Sequence, residues 1–236
     1  MKRFWDTVTV EREADGLQVL LDGKPMRIPG GPPLLLHGAA LAEAVAAEWQ
    51  AAGGAKGGEL SMEDVPLTRL AGTAQERIRP NHEAVAAGLA AYGESDLLCY
   101  RADSPAPLVR RQARDWQPWL DWAEQTHGVR LQATEGIVHI PQDTAALARL
   151  AALYGAMGDD ELAALGIAVP AMGSAVLGLA LQAGAIGADE AYAVSTLDEQ
   201  FQREQWGEDA EATARLERVR GDIALAERYL RLSRAG

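Results

Sequence analysis

The sequence predicts an α+β fold, with a small N-terminal antiparallel β domain followed by a larger, mainly α-helical domain. Three observations predict it. Residues 4 to about 36 are short β-branched or aliphatic runs punctuated by Asp-Gly turns. From Gly38 onward the apolar spacing changes to four-residue steps. Ala163 to Ala188 contains no charged residue, in a chain that is 24% charged, which calls for a helix buried on all sides. The β domain is placed at residues 1–37, reaching to about 58 if the glycine-rich loop is counted with it, and the α-helical domain at 38–236.

The β region reads as a meander. Thr7–Val10, Leu17–Leu21 and Lys24–Ile28 are the strands, Asp15-Gly16 and Asp22-Gly23 the turns. Gly30-Gly31-Pro32-Pro33 interrupts the run before Leu34–Leu36. A few strands alone are marginal, so this sheet needs a helix against it. The first helix places Leu41, Val45 and Trp49 on one face, and Trp49 reads as a core anchor. Residues 51–59 form a loop whose glycines and Lys56 lack the spacing of a phosphate-binding loop.

Pro66 opens a helix to about Ile78, Pro80-Asn81 stops it, and Glu83–Tyr92 is another. Asp96 is placed to cap the segment after it, with Leu97, Leu98 and Tyr100 turned inward. Leu108–Thr126 is a strong helix with Trp116, Trp119, Leu120 and Ala123 on one face. Val129–Pro141 reads as a short β excursion turning at Glu135-Gly136. Asp143 caps the next helix, and Asp159 or Asp160 the one after it. In the uncharged stretch Pro170 suits a first helical turn and Gly184 an end, which leaves a helix too short to span a membrane. Asp189 caps a helix whose apolar face is Val194, Leu197 and Phe201. The last helix, about Glu208 to Leu232, repeats Leu216, Val219, Ile223, Ala226 and Leu230 at packing intervals.

Composition narrows the function. Lys and Arg number 22 against 34 Asp and Glu, for a net charge of −12. Nucleic acid is disfavoured as a partner, because its binding is driven by cationic residues on phosphate. The lone Cys99 excludes an internal disulfide and suits a reducing compartment. Met1 to Asp6 lacks the apolar run of a signal peptide, so a cytoplasmic location and no stable membrane insertion are expected.

Residues that carry chemistry are sparse. The four histidines lie apart, without metal-ligand spacing, and Gly173-Ser174 lacks the flanks of a nucleophile elbow. Cys99 sits between Leu98 and Tyr100 with no base in sequence reach. No catalytic, cofactor-binding or metal-binding residue is therefore assigned, and no cofactor is expected. One segment has an electrostatic signature. Between Asp189 and Glu211 the acids are Asp189, Glu190, Asp198, Glu199, Glu204, Glu208, Asp209 and Glu211. The sole base there is Arg203, and Phe201 and Trp206 lie among the acids. Exposed, this surface suits a basic, partly apolar protein segment. With the aromatics turned inward it is a solvated helix face.

The ordered set of short motifs resembles the Atp12 family of assembly chaperones for the F1 sector of ATP synthase. It runs through Arg3-Phe4-Trp5, Leu21–Pro25, Glu48-Trp49 and Pro66–Ala71. Asp96-Leu-Leu-Cys-Tyr-Arg101, Arg111-Gln112 and the Trp116…Pro118…Leu120-Asp-Trp122 pattern follow. Gly173-Ser174, Leu197-Asp-Glu199 and Gln205-Trp-Gly-Glu-Asp209 complete it. Met172 and Phe201 depart from the family's pattern, in which a Thr and a second Trp are expected.

The resemblance implies a β domain followed by an α domain and a binding protein without catalysis. Its implied partner is the unassembled F1 α subunit, held until it joins β. On that basis Glu199, Glu204 and Trp206 are expected to contact the partner, Trp49 to be structural, and Asp96 and Arg101 to form a structural pair between the domains. The alternative is a small-molecule enzyme using an acidic cleft near Glu199 and Trp206.

Overall fold

The protein is described here by a computed structural model covering residues 1–28, 31–207 and 209–235. Gly30 of the interrupting turn and Glu208 of the acidic segment lie outside the described residues. A small N-terminal antiparallel sheet is followed by a mainly helical remainder, as the patterning predicts. The chain divides into two compact units, Met1–His82 with Gly158–Ala164 and Arg228–Gly236, and Glu83–Met157 with Leu165–Glu227. These units do not follow the switch from strand to helix at residue 37. The sheet needs cover, and the helices that cover it belong to its own unit.

In the first unit β1 (Val8–Glu13) and β2 (Gly16–Leu21) form the hairpin, with Val8 opposite Leu21 and Glu13 opposite Gly16. The two-residue β3 (Lys24–Pro25) lies on the other edge of β2. Central β2 buries Leu17, Val19, Leu20 and Leu21. Leu34–Leu36 returns to β2 through one bridge, Leu17 to Leu36, and is not a further strand.

The cover for β1 and β2 is α1 (Ala39–Ala51), which buries Leu41, Val45 and Trp49 at the expected spacing. Next comes α2 (Pro66–Thr73), with Pro66 in its first turn. Pro80 does not stop the helical path. Ala74–Ile78 widens into a π turn, Arg79–Asn81 tightens into a 3₁₀ turn, and α3 (His82–Ala90) continues. The local change of pitch accommodates a residue that lacks an N–H and crowds the preceding turn.

The second unit holds β4 (Tyr100–Arg101), α4 (Ala106–His127), β5 (Thr134–Glu135) and α5 (Thr144–Gly155). Val129–Pro141 is not a hairpin. Only β5 pairs, in parallel, with β4. Buried Gln142 stands in for a second strand, since its amide bonds both the N–H and the C=O of Gln132, at 2.7 and 2.9 Å. The Asp143 side chain caps α5 by accepting the Ala145 N–H at 3.0 Å.

The uncharged stretch is two helices, where one starting at Pro170 was expected. Pro170 lies in the last turn of α6 (Asp159–Met172), whose first residues belong to the other unit. Gly173 takes the left-handed conformation, at φ 64°, that a side chain would resist. Ser174 then caps α7 (Ala175–Ala183), its hydroxyl accepting the Leu177 N–H at 3.0 Å. Every residue from Ala175 to Leu181 is buried. At Gly178 a Cβ would overlap Val169 and the Tyr154 hydroxyl, which explains one small residue of the stretch.

The helix with the face Val194, Leu197 and Phe201 is likewise interrupted. It consists of α8 (Ala188–Ser195) and α9 (Leu197–Trp206), broken at Thr196, and all three residues are buried. Asp159, Asp160 and Asp189 lie inside first turns rather than at N-caps, where carboxylates still complement the helix dipole. The final helix is α10 (Ala210–Arg234), with Leu216, Val219, Ile223, Ala226 and Leu230 buried. Among the described residues no helix is long and apolar enough to cross a membrane.

Candidate functional site

The acidic segment occupies α8, α9 and the start of α10. Adjacent residues on a helix diverge by about 100°, and Asp198 and Glu199 do so here. Asp198 is half-buried and accepts the Gln112 side-chain N–H from α4 at 2.8 Å, and its burial raises its pKa. Glu199 points outward and accepts from Arg215 of α10 at 2.7 Å. One turn further, Glu204 is gripped by Arg111 of α4 through two bonds of 2.8 and 2.7 Å. The Arg111 hydrogen bond holds the Glu204 carboxyl below its ordinary pKa.

The two aromatics part company. Phe201 turns inward, and the Arg111 guanidinium carbon lies 5.2 Å from its ring centroid, in cation–π range. Trp206, the last residue of α9, turns outward and is 80% exposed. A large exposed indole is costly to leave in water, and it sets the acidic segment apart from a plain solvated helix face.

Beside this face an open groove of about 440 Å³ runs between α4 and α8–α9. Pro118, Trp119, Ala193, Val194 and Leu197 supply its apolar lining. Its charged lining is Arg111, Arg114, Asp115 and Glu190. Arg114 pairs with its neighbour Asp115 through bonds of 2.6 and 2.7 Å. Trp119 stands edge-on to Trp122, their ring centroids 6.2 Å apart. Helical spacing made Trp119 legible as half of an apolar face, but only tertiary structure opens its other side to the groove.

The residues expected to be structural lie apart from this surface. Trp49 is buried, and its indole N–H donates to the Thr68 hydroxyl at 2.8 Å. Its carbonyl accepts the Trp5 indole N–H at 3.0 Å. The neighbouring Glu48 carboxylate accepts the Leu67 and Thr68 N–H groups, capping α2 from another helix. Arg3 is also buried, and its guanidinium donates to the carbonyls of Trp5, Gln50, Ala52 and Gly54. Its sequence position gave no sign of this role, because each acceptor is main chain.

Asp96 and Arg101 do not pair with each other, and both belong to the second unit. Fully buried Asp96 accepts the N–H of Leu98 and that of Val176, each at 3.1 Å, so it serves two helix starts. Burial pushes its pKa to about 6 against the lowering effect of these bonds. Arg101 donates to the carbonyls of Leu98 and Gln112, at 2.7 and 2.9 Å, and packs on the Trp116 ring. Main-chain groups, with the Ser174 side chain at Asp96 and that of Gln117 at Arg101, therefore satisfy both charges, and a direct ion pair is not needed.

Buried Cys99 has its thiol pushed up to about 12, chiefly by burial. Among the described residues there is no cluster of three or more His, Cys, Asp or Glu side chains fit to hold a metal. The arrangement offers contact area and steering charge on one face of the second unit.

Comparison with known proteins agrees in extent and in fold. The ATP12 chaperone protein family matches residues 2–124. The structure of Atp12 from Paracoccus denitrificans superposes with a TM-score of 0.93 at 42% identity, covering 98% of each chain. Atu1473 of Agrobacterium tumefaciens, itself classed as a candidate chaperone, superposes with a TM-score of 0.90 at 38% identity. That match covers 98% of this chain and 85% of the other. The motif set, the sheet-then-helices order and these likenesses lead to one conclusion: the chain belongs to the ATP12 chaperone family.

Proposed function

We propose that the protein is a non-catalytic chaperone that acts in the cytoplasm on the unassembled F1 α subunit of ATP synthase. It covers apolar surface on α that β later covers, and so keeps α from aggregating. The contacts are made by the α9 face, with Trp206 as apolar anchor and Glu199 and Glu204 as its polar rim. The observation that carries this reading is the exposure of Trp206 at the end of an acid-rich helix. Glu204 takes part through its pair with Arg111, since both of its oxygens are engaged there.

The enzyme alternative needs an enclosed pocket and a carboxylate of raised pKa facing it. Glu204 lines an open polar groove with Arg203 and Arg220, and its pKa is lowered. The raised carboxylates, Asp96, Glu48 and Asp198, are occupied by hydrogen bonds that hold helices.

Release follows from competition between the chaperone and β for one surface. Gel filtration of the protein mixed with F1 α tests this. A complex with α that β dissolves, with no ternary species, is expected. A stable ternary complex contradicts competition, and no complex at all contradicts the client assignment.

A further inference from the structure

We infer that the groove between α4 and α8–α9 is the anchoring subsite of the chaperone, and that it takes a bulky apolar side chain followed by a basic residue. The inference rests on the chaperone reading for its client and on the groove's own chemistry for its specificity. Its lining is mixed, with Pro118, Val194, Leu197 and the half-exposed Trp119 as the apolar part. At about 440 Å³ the groove has room for one or two large side chains of a segment passing through it, and it is open enough to admit that segment.

Charge selects the occupant. Arg111 is neutralised by Glu204, and Arg114 by Asp115. Glu190, on the α8 wall, is exposed and has no ion-pair partner among the described residues. One acid is therefore left over beside the apolar side chains of the groove. A lysine or arginine of the occupant would meet this carboxylate, with the Trp119 indole lining the same groove. An acidic occupant would meet Glu190 without compensation. A second copy of this acidic chain is a poorer electrostatic match than a basic client segment.

The test uses the full chain with two groove variants. Ala193 is exposed on the groove wall, so Ala193→Trp fills the slot without entering the core. Glu190→Lys reverses the selecting charge. Binding of F1 α diluted from denaturant to the immobilised protein is measured by titration, with circular dichroism confirming the fold of each variant. The expected result is a half-saturation concentration raised about tenfold by Ala193→Trp and about threefold by Glu190→Lys. In parallel, tryptophan fluorescence follows two hexapeptides, one carrying phenylalanine then arginine, the other phenylalanine then glutamate.

Wild type that binds α, with folded Ala193→Trp binding it equally well, overturns the groove and leaves the chaperone reading intact. If wild type does not bind α, the client assignment fails, and the peptides decide the groove alone. Preference for the arginine peptide, lost in Ala193→Trp, then upholds it, and equal or absent binding overturns it. A wild-type dimer that Ala193→Trp converts to monomer assigns the groove to a second copy and also overturns the proposal.

Discussion

Arg111 grips both carboxylate oxygens of Glu204, at 2.8 and 2.7 Å, while its guanidinium lies over the Phe201 ring. One arginine of α4 thus ties down the exposed acid of α9 and covers the aromatic that α9 buries. Such a fork orients its partners more than it stabilises them, because both side chains keep a share of their surface in water that screens the pair. Glu204→Ala should leave the melting temperature close to wild type and weaken capture of F1 α. Thermal denaturation beside a client-binding titration checks this, and a large loss of stability would show that the pair is structural.

Trp49 is predicted to be indispensable to the first unit. Its buried ring packs on that of Trp5, the centroids 5.0 Å apart, and it exchanges hydrogen bonds with Trp5 and Thr68. Trp49→Ala should cost about 3–5 kcal/mol, enough to lower soluble yield sharply. Urea unfolding of the surviving fraction measures the loss. A loss below ~1 kcal/mol would contradict the core assignment.

Asp96 makes a prediction about pH. Its folded-state pKa of about 6 lies above the ordinary value of 3.8, chiefly through burial. The stability it contributes is therefore fully present below about pH 4 and is lost as pH rises toward 6. The change is on the order of 3 kcal/mol at most. Asp96→Asn removes this titration. The stability difference between wild type and Asp96→Asn, followed by urea unfolding from pH 4 to 7, should therefore move against wild type as pH rises. A difference that stays flat over that range contradicts an Asp96 that titrates there.

Cys99 should be chemically silent in the folded protein. Its buried thiol is held far above neutrality, and the thiolate is the reactive form. Labelling with a thiol-reactive disulfide should follow the rate of unfolding and become fast in denaturant. Rapid labelling of the native protein would contradict the buried placement.

Much of the fold was legible because the relevant signals are local. Asp22-Gly23 forms the second turn as read, while the first hairpin turns one residue earlier, at Ala14-Asp15, with Gly16 already in β2. Four-residue steps placed Leu41, Val45 and Trp49. Asp143 preceded a helix that it does cap. What was not legible depends on partners distant in sequence. Pro170 resembles a helix start, yet tertiary packing carries α6 past it, and Gly173-Ser174 does the stopping and restarting. Pairing of Thr134–Glu135 with Tyr100–Arg101 is non-local and only two residues long, so no periodicity announces it. The site divides in the same way. Acid spacing and the aromatics Phe201 and Trp206 marked the segment, and the shared face with Val194 and Leu197 already turned Phe201 inward, but the Arg111 that lies over Phe201 and grips Glu204 comes from another helix and was not legible. Asp96 and Arg101 were expected to pair, and instead each is held mostly by main-chain groups invisible in a residue list.

If a folded, acid-rich face holds the F1 α subunit, Glu199→Lys should loosen that hold without unfolding the chain. Glu199 is at the surface and, among the described residues, its ion pair is with Arg215 of α10, so its reversal should leave the fold intact. Light scattering would be followed as isolated F1 α refolds with wild type, with Glu199→Lys, or with serum albumin as control. Suppression by wild type near one-to-one, weakened in folded Glu199→Lys and absent with albumin, is the predicted result. Equal suppression by wild type and Glu199→Lys would contradict the α9 face as the contact, and no suppression by wild type would contradict the client itself.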